Sequence, residues 1–290
     1  MGTAKKITLF CVGILLFLGC TGPIMKNDKS DILLLKPPEH AYISSQVKNH
    51  RKVVVKLQHI KTEKFTQSYK NCNKWGKQYG FEPSTIHECG YIRPKKNHYP
   101  SGIKRTHKHI FLEKILNLKS SYFVYYKSQL DRSGAYLVSY DKKTHRMQKS
   151  FDLKNYEYPS VYHVRRAWAR QLVDWAEIKD GILYLATSSG EPEAVNGKTG
   201  FLTSVDLKTN TILWRSKEQT CNSKFVVLKD IIVGGYGLTA HQDYIYVFNK
   251  HNGKIVQKIP LAYAATDIEH RDGKIYVATR GYTYIFKIIK

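Results

Sequence analysis

The chain has 290 residues, of which 42% are hydrophobic and 12% aromatic, and its formal net charge is +24. This apolar content suffices for a packed core and excludes a chain too polar to fold. The charge bears on partners and solubility rather than on the fold. It fits both a crowded basic surface and a specific polyanion-binding role.

An export signal is predicted at the N-terminus. Lys5 and Lys6 precede an apolar run from Ile7 to Leu18, which the small residue Gly19 ends. A basic start, a hydrophobic segment of about a dozen residues and a small residue at the cleavage point are typical of a signal peptide. The run is shorter than the roughly twenty apolar residues that a membrane-spanning helix needs.

A cysteine follows this signal directly. The stretch Phe17-Leu18-Gly19-Cys20 resembles the lipobox of bacterial lipoproteins, although Phe17 stands where an aliphatic residue is usual. The resemblance implies a lipoprotein signal peptide over 1–19, a lipid such as palmitate on Cys20, and anchoring to a bacterial membrane, with the outer membrane or cell surface favoured. Residues 20–40 would then be a flexible tether. A cleaved secretory signal and an uncleaved anchor are the alternatives.

Residues 41–117 form a basic region in which strand signals are sparse. Lys52 to Leu57 reads as a strand, and a polar turn is expected at Lys61 to Lys64. Val53 to Val55 would pair with the final strand near Tyr284 to Phe286 and leave neither sheet edge open. One or two degenerate repeats are expected in this region.

The cysteines suggest one crosslink. Cys72 and Cys89 share a short polar stretch, and an exported protein meets an oxidising compartment, so a disulfide loop is predicted there. It would contribute roughly 3 kcal/mol. Cys221 is then the odd cysteine, expected to be buried or free; three unpaired thiols are the alternative. His107 and His109 lack a third ligand, which favours a solvated basic face over a metal site.

From Leu118 to Lys290 the chain repeats a pattern of strands and turns. Turn signals at Ser121, Asp180, Asp230 and Asp272 recur with a period of roughly 40–50 residues. The fullest unit has strands at Ile182 to Thr187, Phe201 to Asp206 and Thr211 to Trp214, with a polar turn at Lys208 to Asn210. Before it, Val161 to Ile178 predicts a loop or short helix to about Arg170 and then a strand. The pattern predicts an all-β propeller of about five to seven blades, four of them legible.

These repeats resemble those of the pyrroloquinoline-quinone-like, or quinoprotein-dehydrogenase-like, β-propeller superfamily. The family unit has an Asp-Gly turn, an Ile-Tyr-Val-Ala-Thr-like strand, an Asp, a Thr-Gly-like turn and often a Trp. The matching residues are Asp180 to Thr187 with Asp206, Thr209 and Trp214, then Asp272 to Thr279, and in part Asn249 with Asn252-Gly253 and Asp141 with Thr144. The resemblance covers 118–290 and implies the fold more firmly than an activity.

Catalysis is not expected. Enzymes of this family often carry two adjacent cysteines, and no two cysteines here are neighbours. The sequence also lacks a G-x-S-x-G elbow, an H-E-x-x-H zinc motif and a phosphate-binding glycine loop. No catalytic residue, cofactor or metal is therefore predicted, and a quinoprotein-type enzyme ranks below the two binding hypotheses.

The leading hypothesis is an exported, membrane-anchored, non-catalytic propeller that serves as a scaffold for envelope proteins and binds them through its loops. The alternative is an adhesion-type lipoprotein that binds acidic glycans, lipopolysaccharide or anionic lipid, since export argues against intracellular nucleic acid. Binding of that kind weakens steeply with salt. The candidate binding residues are Lys95, Lys96, Lys104, Arg105, Lys142, Lys143, Arg165, Arg166 and Trp168.

Overall fold

A computed structural model of the protein describes residues 32–34, 42–43, 53–65, 74–81, 100, 102–108, 110–127, 135–153, 171–189, 197, 199–237 and 242–290. Within this part of the chain, almost every regular element is a strand. The strands are β1 (Ile32–Leu34), β2 (Tyr42–Ile43), β3 (Lys56–Lys64), β4 (Thr106–His107), β5 (Ile110–Asn117), β6 (Ser121–Lys127), β7 (Ala135–Asp141), β8 (Met147–Asp152), β9 (Gln171–Lys179), β10 (Ile182–Ser189), β11 (Phe201–Asp206), β12 (Thr211–Arg215), β13 (Val226–Val227), β14 (Ile231–Tyr236), β15 (Asp243–Asn249), β16 (Ile255–Leu261), β17 (Ala265–Arg271), β18 (Lys274–Thr279) and β19 (Tyr282–Ile289). One short helix, α1, spans Lys74–Tyr79.

The strands form four sheets, one for each legible repeat. Sheet 1 has the order β1-β8-β7-β6-β5-β4, sheet 2 β2-β12-β11-β10-β9, sheet 3 β13-β14-β15-β16 and sheet 4 β17-β18-β19-β3. In sheets 1, 2 and 3 four consecutive strands pair antiparallel as a meander, and in sheet 4 three consecutive strands do so, with β3 as the fourth. This repetition of meander sheets is the architecture of a β-propeller, as the sequence predicted.

Tight turns join several of these strands, as predicted. Asp180 and Gly181, between β9 and β10, both have positive φ angles, 54° and 75°. Asp272 and Gly273, between β17 and β18, repeat this with 51° and 70°. Positive φ at both central residues is the geometry of a type I′ hairpin, which Asp-Gly favours because glycine has no Cβ and Asp tolerates the left-handed region.

Sheet 4 is completed by the strand that comes earliest among its four. β3 pairs antiparallel with β19, from Lys64 opposite Tyr282 to Lys56 opposite Ile289. An early strand does pair near Tyr284 to Phe286, but the predicted partner is wrong: Val53 to Val55 precede β3, which remains the outer strand of the sheet. The predicted turn at Lys61 to Lys64 is wrong, because those residues are the end of β3. Most β3 side chains are exposed, and an outer strand in water tolerates polar residues on both faces.

Residues 41–117 contribute strands to sheets at both ends of the repeat array. β3 belongs to sheet 4, β5 and β4 belong to sheet 1, and β2 pairs with β12 at the outer edge of sheet 2. Among the described residues of this region, none forms a further four-stranded sheet of its own. Within the segment predicted to be a tether, β1 pairs parallel with β8.

The core lies between the sheets. One hydrophobic cluster joins sheets 1, 2 and 3 and includes Phe123, Trp214 and Phe248. A second cluster joins sheets 3 and 4 through residues such as Val247 and Ile275. These faces carry the β-branched and aromatic residues of the repeats, so burial between neighbouring sheets, rather than within one sheet, provides most of the apolar contact.

Candidate functional site: inner strands and sheet ends

The two ends of the sheets are built differently. At one end, which we call the turn end, the strands are joined by short connections such as 118–120, 142–146, 180–181, 207–210, 228–230, 250–254 and 272–273. At the other, the loop end, the connections include 128–134, 154–170, 190–200 and 216–225. In an antiparallel meander, alternate connections share an end, so the long segments of sheets 1 and 2 all emerge at the loop end. Long loops on a rigid scaffold are where binding residues concentrate.

Hydroxyl side chains fix the base of the loop end in sheet 2. The backbone N–H of Ser189 donates to Thr199 Oγ1 at 2.6 Å, and that of Gln219 donates to the Thr199 carbonyl at 2.6 Å. Leu202 N–H donates to Ser216 Oγ at 2.9 Å. Because these hydroxyls satisfy backbone groups that no strand pairs, they hold connections 190–200 and 216–225 together at their roots.

An asparagine extends this network to sheet 3. Asn222 Nδ2 donates to the carbonyl of Gly237 at 2.8 Å, and Gly237 N–H donates to Asn222 Oδ1 at 3.1 Å. The backbone N–H of Asn222 donates to the Gly235 carbonyl at 2.9 Å. The connection between β12 and β13 is therefore held at several points, and its exposed residues, Lys217 and Glu218, are presented on a fixed base.

A charged cluster crosses three sheets along their first strands. Lys224, just before β13, donates to the carboxylate of Glu269 on β17 and lies 3.2 Å from Asp267 Oδ1. Its side chain is only 10% exposed. The Lys224 ammonium also lies 5.1 Å from the ring centroid of Trp175 on β9. Burial opposes the charge on Lys224, but the two carboxylates outweigh it, so the pKa of Lys224 is raised.

Glu177 on β9 is a further carboxylate of this cluster, and its pKa is strongly raised. Burial raises the pKa of Glu177 to about 7, against the opposing attraction of Lys179 and Lys224. Lys179 itself donates to the carbonyl of Val227 at 2.6 Å. The cluster can therefore change its charge near neutral pH, and it joins β9, β13 and β17 by charged contacts.

The chemistry of this cluster is that of an ion-pair network rather than of a metal or nucleophilic site. Its acidic groups face lysines, and the described residues contain no group of three or more His, Cys, Asp or Glu placed to hold a metal ion. The pKa of Lys224 is raised, so its amine stays protonated. A nucleophilic lysine needs a neutral amine and therefore a lowered pKa. What the network can do is fix the relative positions of sheets 2, 3 and 4.

The predicted basic residues that fall in the described part of the chain lie on sheet 1. Lys104 and Arg105 are exposed at the entry to β4, where the Lys104 carbonyl accepts from Tyr126 Oη at 2.7 Å. Lys142 and Lys143 lie in the turn between β7 and β8, with Lys142 Nζ 5.0 Å from the Tyr122 ring centroid. The two pairs thus lie on different elements of sheet 1.

His107 packs among aromatic rings. Its ring centroid is 5.4 Å from that of Tyr126 and 5.0 Å from that of Tyr136, and its Nε2 lies 3.3 Å from Ser150 Oγ. Burial, followed by the charges of Lys108 and Lys104, lowers the pKa of His107. The interpretation of its segment as a basic face agrees with the exposed flanking lysines.

Several predicted residues lie outside the described residues: Cys20, Cys72, Cys89, Lys95, Lys96, His109, Arg165, Arg166 and Trp168. The predicted lipidation, the predicted disulfide and part of the predicted binding patch therefore stay predictions. Cys221 is described; it is a free, fully buried thiol, which is one of the states expected for it. The predicted strand after about Arg170 is confirmed as β9.

Sequence reasoning missed the charged cluster. Asp267 and Glu269 alternate on β17, and Glu177 lies on β9, so acidic residues within strands were the available signal. A charge within a buried strand needs a partner. The partner, Lys224, is supplied by a neighbouring sheet, so the sequence alone does not identify it.

Repeated meander sheets, with the last one completed by an early strand, define a β-propeller. No protein-family profile matches the chain, and no curated protein matches it. Among solved structures, BamB from Moraxella catarrhalis is similar at 14% identity and a TM-score of 0.30, covering 60% of this chain and 57% of that one. The WD40 propeller domain of Doa1 is similar at 12% identity and a TM-score of 0.36, covering 60% of this chain and 62% of that one. The quinohemoprotein alcohol dehydrogenase ADHIIG from Pseudomonas putida HK5 is similar at 12% identity and a TM-score of 0.37, covering 57% of this chain and 28% of that one.

The chain spans less than two thirds of the length of each of these structures. At these scores the fold assignment rests on the strand pairing of this chain itself. In the described part of the chain, no helix is long and apolar enough to cross a membrane.

Proposed function

We propose that this protein is an exported, lipid-anchored β-propeller of the bacterial envelope that binds other envelope proteins as a non-catalytic scaffold. The observation that carries the proposal is the unequal construction of the two sheet ends. The turn end has only short connections, whereas the longest connections emerge at the loop end. A rigid set of sheets with long loops at one end is suited to recognition of a partner surface.

The hydrogen bonds at the loop end support a preformed binding surface. Thr199, Ser216 and Asn222 tie connections 190–200 and 216–225 to the strands. A loop held in one conformation loses little conformational entropy when it binds, which favours affinity. The exposed residues Lys217 and Glu218 lie on this support.

The charged cluster supports a rigid arrangement of the sheets. Lys224 contacts Asp267 and Glu269, and Glu177 lies near Lys179 and Lys224. Charged contacts of this kind hold sheets 2, 3 and 4 in place. The lipid anchor is supported by the apolar run and Cys20, as argued from the sequence.

Affinity capture tests the scaffold. The lipid-anchored protein is purified from its own membranes and washed at low and then high salt. We expect a defined set of membrane proteins to survive the high-salt wash. Changing Lys217→Ala and Glu218→Ala together should reduce their recovery several-fold. The matched control, Lys208→Ala with Thr209→Ala, changes two exposed residues of the turn end and should leave recovery unchanged.

Two outcomes would count against the proposal. If every bound protein is lost at high salt and only acidic polymers or lipids are recovered at low salt, the scaffold role fails and polyanion binding replaces it. That second function is favoured by the net charge of +24 and by exposed cations such as Lys104 and Lys143. The anchor is tested separately, since Cys20→Ala protein that stays membrane-bound and keeps its N-terminal segment would contradict lipidation.

A further inference from the structure

The turn ends of the four sheets lie on one side of the sheet array. In sheet 2, Leu207 N–H donates to the Gly181 carbonyl at 3.0 Å, which joins its two tight turns. Lys250 Nζ, in a turn of sheet 3, lies 3.4 Å from Asp180 Oδ2 in sheet 2. Ile231 of sheet 3 and Ile275 of sheet 4, each close to a tight turn, belong to one hydrophobic cluster. Burial, followed by the charge of Lys179 in sheet 2, also lowers the pKa of His270 in sheet 4.

The turn end of sheet 1 is connected to that of sheet 2 through hydrophobic residues. Leu118, in its first tight turn, packs against the hydrophobic cluster that Ile178, Ile182 and Leu207 of sheet 2 also contact. Those three residues border the tight turns of sheet 2. We group these short connections as the turn surface, defined by 118–120, 142–146, 180–181, 207–210, 228–230, 250–254 and 272–273, with Lys274 directly after the last of them.

Exposed lysines recur over this surface. Five of its seven tight turns carry at least one exposed lysine, and only Asp180–Gly181 and Asp272–Gly273 carry none. The exposed lysines are Lys119, Lys143, Lys208, Lys229 and Lys254, together with Lys274, the first residue of β18. Because lysines recur in or beside the turns, positive charge is spread over all four sheets instead of being gathered in one pair.

Several acidic residues of the turns contact groups within the same surface, whereas Asp272 is 87% exposed and lies 3.8 Å from Arg271 Nε at the end of β17. Asp141 Oδ1 accepts from the N–H of Lys143 at 3.0 Å, and Asp206 Oδ1 accepts from Lys208 N–H at 2.8 Å. Asp180 lies 3.4 Å from the Lys250 ammonium and Asp230 lies 3.6 Å from His251 Nε2. Carboxylates that bind the turn itself are kept close to the backbone, whereas the long lysine side chains reach beyond it.

We propose that the turn surface docks against the anionic lipid surface of the membrane that holds the anchor. The inference rests on the proposed membrane anchoring, and charge complementarity identifies the partner. A lysine close to an anionic bilayer strengthens binding about fivefold, so lysines distributed over four sheets act additively along a plane of phosphate groups. In this orientation the loop end points away from the lipid, where partner proteins can reach it.

Vesicle sedimentation tests this docking without the anchor. Full-length protein carrying Cys20→Ser is mixed with vesicles of phosphatidylglycerol and phosphatidylcholine, and with vesicles of phosphatidylcholine alone. The test variant combines Lys143→Glu, Lys208→Glu and Lys229→Glu, all on the turn surface. The control variant combines Lys56→Glu, Lys64→Glu and Lys149→Glu, which are equally exposed strand residues with the same change in net charge.

We expect binding to the anionic vesicles only, at least a tenfold loss of affinity for the test variant, and less than a threefold loss for the control. Binding should also fall steeply between about 0.1 and 1 M salt, since the Debye length shrinks from about 10 to about 3 Å. Circular dichroism of both variants shows that they remain folded.

Three results would overturn the docking. Equal losses in both variants would mean that only net charge matters, and a failure to bind anionic vesicles would exclude the lipid partner outright. Turn-dependent binding to a soluble polyanion such as heparin, with none to vesicles, would assign the surface to that class instead. None of these results depends on the loop end, so the docking can fail while protein capture by the scaffold succeeds.

Discussion

Replacing Glu177 with glutamine should remove a pH-dependent part of the protein's stability. Burial raises the pKa of Glu177 from an ordinary 4.5 to about 7. In the folded state this carboxyl therefore keeps a proton that the unfolded chain releases above about pH 4.5. The folded pKa lies above the unfolded one, so the stabilising contribution is present below pH 4.5 and is lost as the pH rises towards 7.

The magnitude follows from the shift. One pKa unit corresponds to about 1.4 kcal/mol, so the free energy of unfolding of the native protein should fall by about 3 kcal/mol between pH 4.5 and 8 through Glu177 alone. Glutamine has similar size and no charge, and it removes this loss. The variant should therefore gain stability relative to the native protein as the pH rises, with most of the gain between pH 5 and 7.

Urea unfolding followed by tryptophan fluorescence at pH 4.5, 6, 7 and 8 measures this difference. Titrating groups distant from Glu177 are shared and cancel when Glu177→Gln is compared with the native protein at each pH, and Lys179 and Lys224 stay protonated over this pH range. Glu113→Gln, which changes an exposed carboxylate on β5, is the matched control and should show a constant difference. If the Glu177→Gln difference were the same at pH 4.5 and pH 8 within about 0.5 kcal/mol, the burial argument for this carboxyl would be refuted.

Two further predictions concern the contact between sheets 2 and 3 and the buried thiol. Trp214 is fully buried and its Nε1 donates to the Lys250 carbonyl at 3.0 Å, so Trp214→Phe should lower the free energy of unfolding by about 1–3 kcal/mol in urea titrations. Gly253→Ala should destabilise the same contact, since the φ of Gly253 is 69° and an added Cβ would collide with the Trp214 ring. An unchanged free energy of unfolding in both variants would contradict the importance of this contact. Burial raises the pKa of Cys221, so a thiol reagent at pH 8 should modify it only after denaturation, as followed by peptide mass spectrometry. Rapid labelling of the native protein would show that this site opens.

The strands of the repeat region could be predicted because local sequence and tertiary packing agree there. Phe201–Asp206 is a strand with the predicted bounds, and Asp180-Gly181 forms the predicted turn. Alternating β-branched and aromatic residues match a surface buried between sheets, and Asp-Gly favours a type I′ hairpin. Both signals depend only on residues close in sequence, so they can be read without knowing which sheet packs against the strand.

β3 could not be delimited from the sequence, for a physical reason. It is the outer strand of sheet 4, where water reaches most of its side chains. Lys61 and Lys64 are therefore compatible with a strand although they read as a turn. What determines β3 is its backbone pairing with β19, to which side-chain polarity contributes little.

The candidate site was predictable only in part. Loops at one end of a propeller follow from the repeat itself. The network around Lys224 was not predicted, because its members come from three sheets and are distant in sequence. The sequence shows the lysines of the turn surface, but only the packing of the sheets shows that they lie on the same side of the molecule.

The pairing of β3 with β19 also determines when the protein can finish folding. Ribosomes release a chain from its N-terminus, so Lys56–Lys64 emerges well before its partner, Tyr282–Ile289. Sheet 4 therefore stays incomplete until β19 has been synthesised, and contacts of such sequence separation form slowly. The side chain of Gln257 accepts a hydrogen bond from the N–H of Leu57 at 2.8 Å and donates one to its carbonyl at 3.0 Å, and these contacts join β3 to β16. A variant that lacks β19 should thus have an unpaired β3 and be degraded by proteases more readily than the native protein.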